Sequence, residues 1–318
     1  MKKILTVLGV LVLAVILVVG VGTWLGGRGN ENTPPTGPAP APGETTGAEQ
    51  PASCPAFEVI AAPGTWESRA DDDPVNPTAN PNSLLLNVTR PLQEAYGGQA
   101  TAAGADGGVK VWTLPYAAQF RNINALTEMT YDDSRNQGYS RVSDELAATH
   151  GACPGTKFLL VGFSQGAVLT GDLATDIGNG NGPVPADTVA GVSLIADGRR
   201  EDGKGTLVGS PAVQGIGAEI ALSSVNLLVQ PIVPGATMRG PRPTDFGALN
   251  DRVNQFCDPA DLVCSAPRDI GNAIQRANDL VAANGIHARY STNGNVVPGQ
   301  TVPQWVVSWA RGIIDGGR

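Results

Sequence analysis

Residues 157–169, KFLLVGFSQGAVL, decide the fold of this chain. The apolar run from Phe158 to Val161 is too short for a helix and is bounded by turn residues, so it reads as a buried strand; Gln165 onward reads as a helix. Between them Gly162-Phe163-Ser164-Gln165-Gly166 places G-x-S-x-G at a strand-to-helix junction. That context forces the central serine onto a tight turn with its hydroxyl exposed. The flanking glycines let the turn close, because side chains there would collide with the neighbouring strand and helix. Ser164 is therefore the candidate nucleophile. In a chain with 41 glycines the bare letters could arise as an ordinary turn; the strand before and the helix after favour the catalytic reading.

Outward from this junction the pattern alternates. Strands are expected over residues 57–61, 109–114, 189–196 and 253–257. Helices are expected over 83–96 (Leu84, Leu85, Val88, Leu92 and Tyr96 at helical spacing), 139–150, 270–283 and 302–314. Strands alternating with helices imply right-handed crossovers and a parallel sheet covered on both faces, hence an α/β fold of three layers. Regularity breaks over 198–251, a glycine- and proline-rich insertion around the apolar patch 216–233. An irregular stretch of that length is usually functional or mobile, and two readings stand: a lid over the site, or an excursion packed on the sheet.

The chain of 318 residues, 42% hydrophobic and 16% charged, can bury one large core or two modest ones. A net charge of −8 and a pI near 4.8 argue against nucleic acid as a partner and against the domain as a whole binding an anionic membrane surface. At the N-terminus Lys2 and Lys3 precede an uncharged run over 4–25, roughly 33 Å long as a helix, which matches the hydrocarbon thickness of a bilayer. It ends at Trp24 and Leu25 without an A-x-A-like cleavage site. Residues 1–25 are read as an uncleaved signal anchor, with the N-terminus in the cytoplasm and the rest outside; cleavage would release a secreted domain. Residues 26–53, rich in Pro, Gly and Thr, lack the apolar residues for a core and form a tether, leaving 54–318 as the folded domain, a monomer.

Cys54, Cys153, Cys257 and Cys264 are an even set in an exported domain, and their spacing fits no zinc pattern. Two disulfides are expected. Three pairings are open in principle; Cys257 and Cys264 are close enough to clip a loop, which leaves Cys54 with Cys153. The second bridge closes a loop of about a hundred residues, worth on the order of 4 to 5 kcal/mol by chain entropy.

A serine nucleophile needs a base within hydrogen-bond reach, itself oriented by a carboxylate. There are 2 histidines. His150 ends an expected helix and precedes the nucleophile, where a cation suits a helix C-terminus; His287 follows the last strand-helix unit and satisfies the order Ser, acid, His. His287 is the preferred base. The acid lies in the loop after the 253–257 strand, Cys257-Asp258-Pro259-Ala260-Asp261-Leu262-Val263-Cys264, where chemistry alone permits either aspartate.

The motifs G-F-S-Q-G-A, C-x-x-x-D-L-V-C and a later His-x-x-Tyr resemble those of the cutinase family of serine esterases, which have the α/β-hydrolase fold. The resemblance runs from about Cys54 to the C-terminus apart from the insertion. It implies a catalytic triad of Ser164, Asp261 and His287, with Asp258 a loop carboxylate, and the same cysteine pairing. It also implies an oxyanion hole from the Gln165 N–H and Thr65, and no metal or organic cofactor. The anchor, tether and insertion are foreign to small secreted cutinases. Together with Arg199-Arg200 and Phe246-Gly247-Ala248-Leu249 they resemble membrane-anchored cutinase-like proteins of actinobacteria. That likeness implies action on lipids of the cell envelope, including phospholipid acyl esters and thioesters. An acyltransferase using the same triad, or a non-catalytic envelope-binding protein of the same fold, is the alternative.

Overall fold

The computed structural model describes residues 51, 53–100, 108–209, 212–268 and 284–317. The expected membrane helix, most of the tether and the expected 270–283 helix lie outside them.

Six strands form one all-parallel sheet in the order β2-β1-β3-β4-β6-β5. The strands are β1 (Phe57–Ala62), β2 (Val109–Thr113), β3 (Lys157–Phe163), β4 (Val189–Ile195), β5 (Thr206–Leu207) and β6 (Val253–Phe256). The helices are α1 (Leu86–Ala100), α2 (Tyr131–Ala152), α3 (Gln165–Gly178), the short turns α4 (Ala218–Ala221), α5 (Asn226–Val229) and α6 (Asn284–His287), and α7 (Val302–Gly316). Helices α1, α2 and α3 join β1 to β2, β2 to β3 and β3 to β4, because antiparallel return by a tight turn is not available to parallel strands.

The period-2 geometry of the central strands sorts their side chains into two cores. Phe57, Val59 and Ala61 of β1, with Leu159, Val161 and Phe163 of β3, pack against Val88 and Leu92 of α1 and Val302, Val306 and Ala310 of α7. Ile60 of β1, with Phe158 and Leu160 of β3, faces Val142 and Leu146 of α2 and Leu169 and Leu173 of α3. Burial on both faces is what a near-continuous apolar strand such as β3 requires. This is the three-layer α/β arrangement expected from the alternation of elements.

Two disulfides join Cys54 to Cys153 and Cys257 to Cys264, the pairing expected from the sequence. Two elements depart from expectation. Helix α2 starts at Tyr131 rather than residue 139: the Thr130 side chain caps it by accepting the Asp133 N–H. Its first two turns carry no helical apolar period, and Tyr131, at their start, packs against Leu222, Val229, Ile232 and Val233 of the insertion. Strand β5 was not foreseen, since two exposed residues at a sheet edge carry no period. The insertion itself packs onto the sheet's helices and also reaches the pocket described next.

Candidate active site

Ser164 stands between β3 and α3 with φ 54° and ψ −119°, one of four non-glycine residues with positive φ among those described. Such a conformation persists only where the surroundings over-determine it. Its N–H donates to the Ile195 carbonyl at 2.9 Å and its carbonyl accepts the Val168 N–H at 3.0 Å. A Cβ on Gly162 would lie 2.5 Å from the Gly166 carbonyl oxygen, and one on Gly166 would lie 1.9 Å from that of Ala62. The two glycines are needed because backbone passes where side chains would be.

His287 closes α6, and its Nε2 lies 2.8 Å from Ser164 Oγ. Its Nδ1 lies 2.9 Å from Asp261 Oδ2. The Phe163 ring stacks on the imidazole with centroids 4.9 Å apart, which holds the ring plane. Asp261 sits inside the Cys257–Cys264 loop, where its Oδ1 accepts the Val263 N–H at 3.0 Å and its Oδ2 accepts the Tyr290 hydroxyl at 2.8 Å. Burial works against its charged form, but the neighbouring His287, hydrogen-bonded to it, together with the Val263 N–H and the Tyr290 hydroxyl, holds the carboxyl below its ordinary value. A carboxylate so placed keeps the proton on Nδ1, leaving Nε2 to take one from the serine.

Between the two aspartates that chemistry alone left open, the structure brings Asp261 to the imidazole. Asp258 instead accepts the Ala260 N–H and the Asn293 side chain, at 2.9 and 2.8 Å, and so shapes the loop. His150 lies in the last turn of α2, ahead of β3, and is not among the residues that line the cavity with Ser164.

Gln165 is the first residue of α3, and by helix geometry its N–H has no partner within the helix. Its side chain is engaged elsewhere, accepting from Ser134 Oγ at 2.9 Å and donating to the Gln119 carbonyl at 3.1 Å. Thr65 lines the same cavity as Ser164, Gln165 and His287. That cavity, about 380 Å³, has apolar walls from Leu84, Phe120, Val168, Met238 and Val263, with Glu67, Asn80 and Ser291 among its polar groups.

Of the buried charges around the site, sequence reasoning singled out Arg199-Arg200 alone, as a family likeness without a structural role. Asp172 of α3 receives Arg199 Nη1 at 2.8 Å, Arg239 Nη1 at 2.6 Å and Arg242 Nε at 2.9 Å. Arg242 also pairs with Asp197 at 2.7 Å, and Arg239 with Glu219 at 3.0 Å. Glu219 lines the cavity and accepts the Tyr131 hydroxyl at 2.7 Å. Arg200, buried, donates from Nε to the Cys264 carbonyl at 2.9 Å and from Nη2 to the Gly215 carbonyl, which braces the loop that carries Asp261. The Arg199-Arg200 pair thus ties the insertion to both the nucleophile helix and the acid loop. Glu67 carried no sequence signal beyond standing two residues after Thr65.

The family model described as Cutinase matches residues 98–294. A carboxylesterase Culp6 homolog of Corynebacterium glutamicum is 54% identical over 100% of this chain and 100% of its own length. A cutinase of Kineococcus radiotolerans is 26% identical over 64% of this chain and 55% of its own. Among solved structures, the catalytic core domain of acetyl xylan esterase from Trichoderma reesei superposes with a TM-score of 0.48 at 19% identity, covering 83% of this chain and 100% of that one.

Proposed function

Because the chain belongs to the cutinase family and is a carboxylic-ester hydrolase, we propose that it is a serine esterase of the cell envelope acting on acyl esters of lipids. The observation that carries this reading is the continuous relay from the Ser164 hydroxyl through His287 to Asp261, at 2.8 and 2.9 Å. In this reading Ser164 Oγ attacks the acyl carbonyl carbon while His287 Nε2 takes the serine proton. The carbonyl oxygen becomes an oxyanion that accepts hydrogen bonds from the Gln165 N–H and Thr65. Collapse breaks the bond to the alcohol, which leaves with the proton from His287, and the acyl group stays on Ser164. Water, giving its proton to His287, then attacks the acyl-enzyme and releases the acid and the free serine. Asp261, held by Val263 and Tyr290, stabilises the imidazolium at both steps.

Lipid acyl groups are favoured as substrates by the cavity, whose apolar walls suit a hydrocarbon chain beside the serine. Phospholipids and acyl thioesters share the reacting carbonyl and fall within this reading. Residues 1–25 would hold the enzyme in the cytoplasmic membrane with residues 54–318 outside it. The test is turnover of purified protein on p-nitrophenyl esters of increasing chain length, phospholipids and acyl thioesters. Hydrolysis of acyl lipids, lost in Ser164→Ala with an unchanged melting temperature, is expected. Undiminished turnover by that variant would remove Ser164 from the chemistry, and activity confined to acetyl esters would remove the lipid assignment. Fractionation of cells with and without residues 1–25 tests the anchor.

A further inference from the structure

The relay moves the proton, but the loop after β1 must hold Thr65 still. The peptide unit joining Pro63 to Gly64 is gripped at both of its polar ends. Its carbonyl oxygen accepts the Tyr116 hydroxyl at 2.6 Å, and its N–H donates to Glu67 Oε2 at 3.1 Å. Burial, and then the nearby Glu67 carboxylate, push the Tyr116 phenol well above its ordinary value, so it stays protonated and donates.

The chain then turns. The Glu67 N–H donates back to the Gly64 carbonyl at 3.1 Å, and Trp66 takes φ 63°. A positive φ at the third position of a four-residue turn is ordinarily given to glycine or asparagine. Here the Trp66 N–H donates to the Ala118 carbonyl at 2.6 Å and its indole N–H to Glu128 at 2.9 Å, which keep the residue in place. The Glu67 carboxylate also accepts the Leu84 N–H at 2.9 Å and the Ser83 hydroxyl at 3.2 Å, tying the turn to the segment that begins α1. Gly64 lies directly against the nucleophile turn: a Cβ there would sit 2.8 Å from the Phe163 ring and 3.3 Å from Ser164 Cβ. Among the described residues no hydrogen bond fastens Thr65 itself, so its place is inherited from its neighbours.

We infer that Glu67 and Tyr116 are positioning residues for the oxyanion site: they fix the Pro63–Gly64 peptide plane and thereby hold Thr65 beside Ser164. Neither touches the reacting atoms. The inference rests on the reading of Thr65 as an oxyanion donor. One such donor is worth about 10² to 10³ in rate, and a misplacement of about 1 Å can forfeit a comparable factor. Gln at position 67 cannot replace the carboxylate, because one of its two heteroatoms donates where Gly64, Leu84 and Ser83 all need an acceptor.

The experiment measures kcat, KM and melting temperature on a soluble p-nitrophenyl ester for Thr65→Ala, Glu67→Gln, Tyr116→Phe and the two double variants with Thr65→Ala. Glu67→Gln and Tyr116→Phe are expected to lower kcat about tenfold or more with KM within about twofold, and to add nothing further once Thr65 is alanine. Full additivity on a slowed Thr65→Ala background overturns the inference and leaves Thr65 as a donor. Wild-type kcat in Glu67→Gln and Tyr116→Phe also overturns it. Wild-type kcat in Thr65→Ala overturns the oxyanion reading, and the inference with it. Tyr116→Phe removes a single oxygen, so it completes the cycle even where Glu67→Gln fails to fold.

Discussion

Replacing Asp172 by asparagine should loosen the insertion while leaving the serine relay assembled. Asp172 lies on α3, about two turns beyond Ser164. Burial opposes its charge, but Arg242, Arg239 and Arg199 outweigh burial and hold the carboxyl below its ordinary value, so it is ionised at neutral pH. The cluster balances three guanidiniums, Arg199, Arg239 and Arg242, against three carboxylates, Asp172, Asp197 and Glu219. Asparagine leaves one of these positive charges uncompensated, and the side chains of Arg242 and Asp172 are only 2% and 12% exposed. Breaking a buried pair from one side costs about 3 to 5 kcal/mol, which for a domain of this size lowers the melting temperature by roughly 10 °C.

The sign with pH follows from the depressed value in the folded state. Asp172 contributes stability above its unfolded pKa of 3.8 and loses it as pH falls through the lower folded value. The gap between wild type and variant should therefore be full at neutral pH and shrink only in strong acid. Activity should split by substrate, because Ala218, Glu219 and Met238 of the insertion line the cavity: KM for long acyl chains rises severalfold while kcat on short ones is kept. Thermal melts at pH 7 and pH 3, with a chain-length series of p-nitrophenyl esters, measure both. Wild-type melting at pH 7 together with a wild-type chain-length profile would show that these charges do not anchor the wall.

Glu58, fully buried on β1, should make stability fall as pH rises. Burial raises its pKa to about 7, with Lys110 lowering it and Glu145 raising it. The folded chain keeps that proton while the unfolded chain loses it near the ordinary glutamate value of 4.5, so the penalty grows between pH 4.5 and 7, on the order of 3 kcal/mol at most. Glu58→Gln should flatten the dependence of denaturation midpoint on pH across that window; an unchanged slope would count against it. Tyr290→Phe removes a donor to Asp261 and the acceptor of the Asp258 N–H at 3.0 Å. It should lower kcat about tenfold and stability by about 1 to 3 kcal/mol, and stopped-flow ester hydrolysis at wild-type rate would show that His287 and Val263 suffice to hold the acid.

Much of the site was legible in the letters because the signals are short-range. A strand of seven residues, a glycine-flanked serine and a helix follow one another along β3 and α3, and the sterics that force the turn act between neighbours. Cysteine parity and an eight-residue loop likewise frame Asp261 in the sequence itself. The first two turns of α2 were not legible, because Tyr131 finds its apolar partners a hundred residues later in the insertion, and no periodicity within the helix announces them.

Sequence alone was enough for the α/β alternation, the nucleophile turn, the disulfide pairing and the two histidines from which a base could come. The family motif had already pointed to Asp261 and the folded chain places it 2.9 Å from His287, but only the folded chain brought together the charges on Asp172 and the grip of Glu67 and Tyr116 on one peptide. Local conformation follows from sterics between adjacent residues, whereas a buried charge or an orphan amide finds its partner only after the crossovers have carried distant segments to the same edge of the sheet.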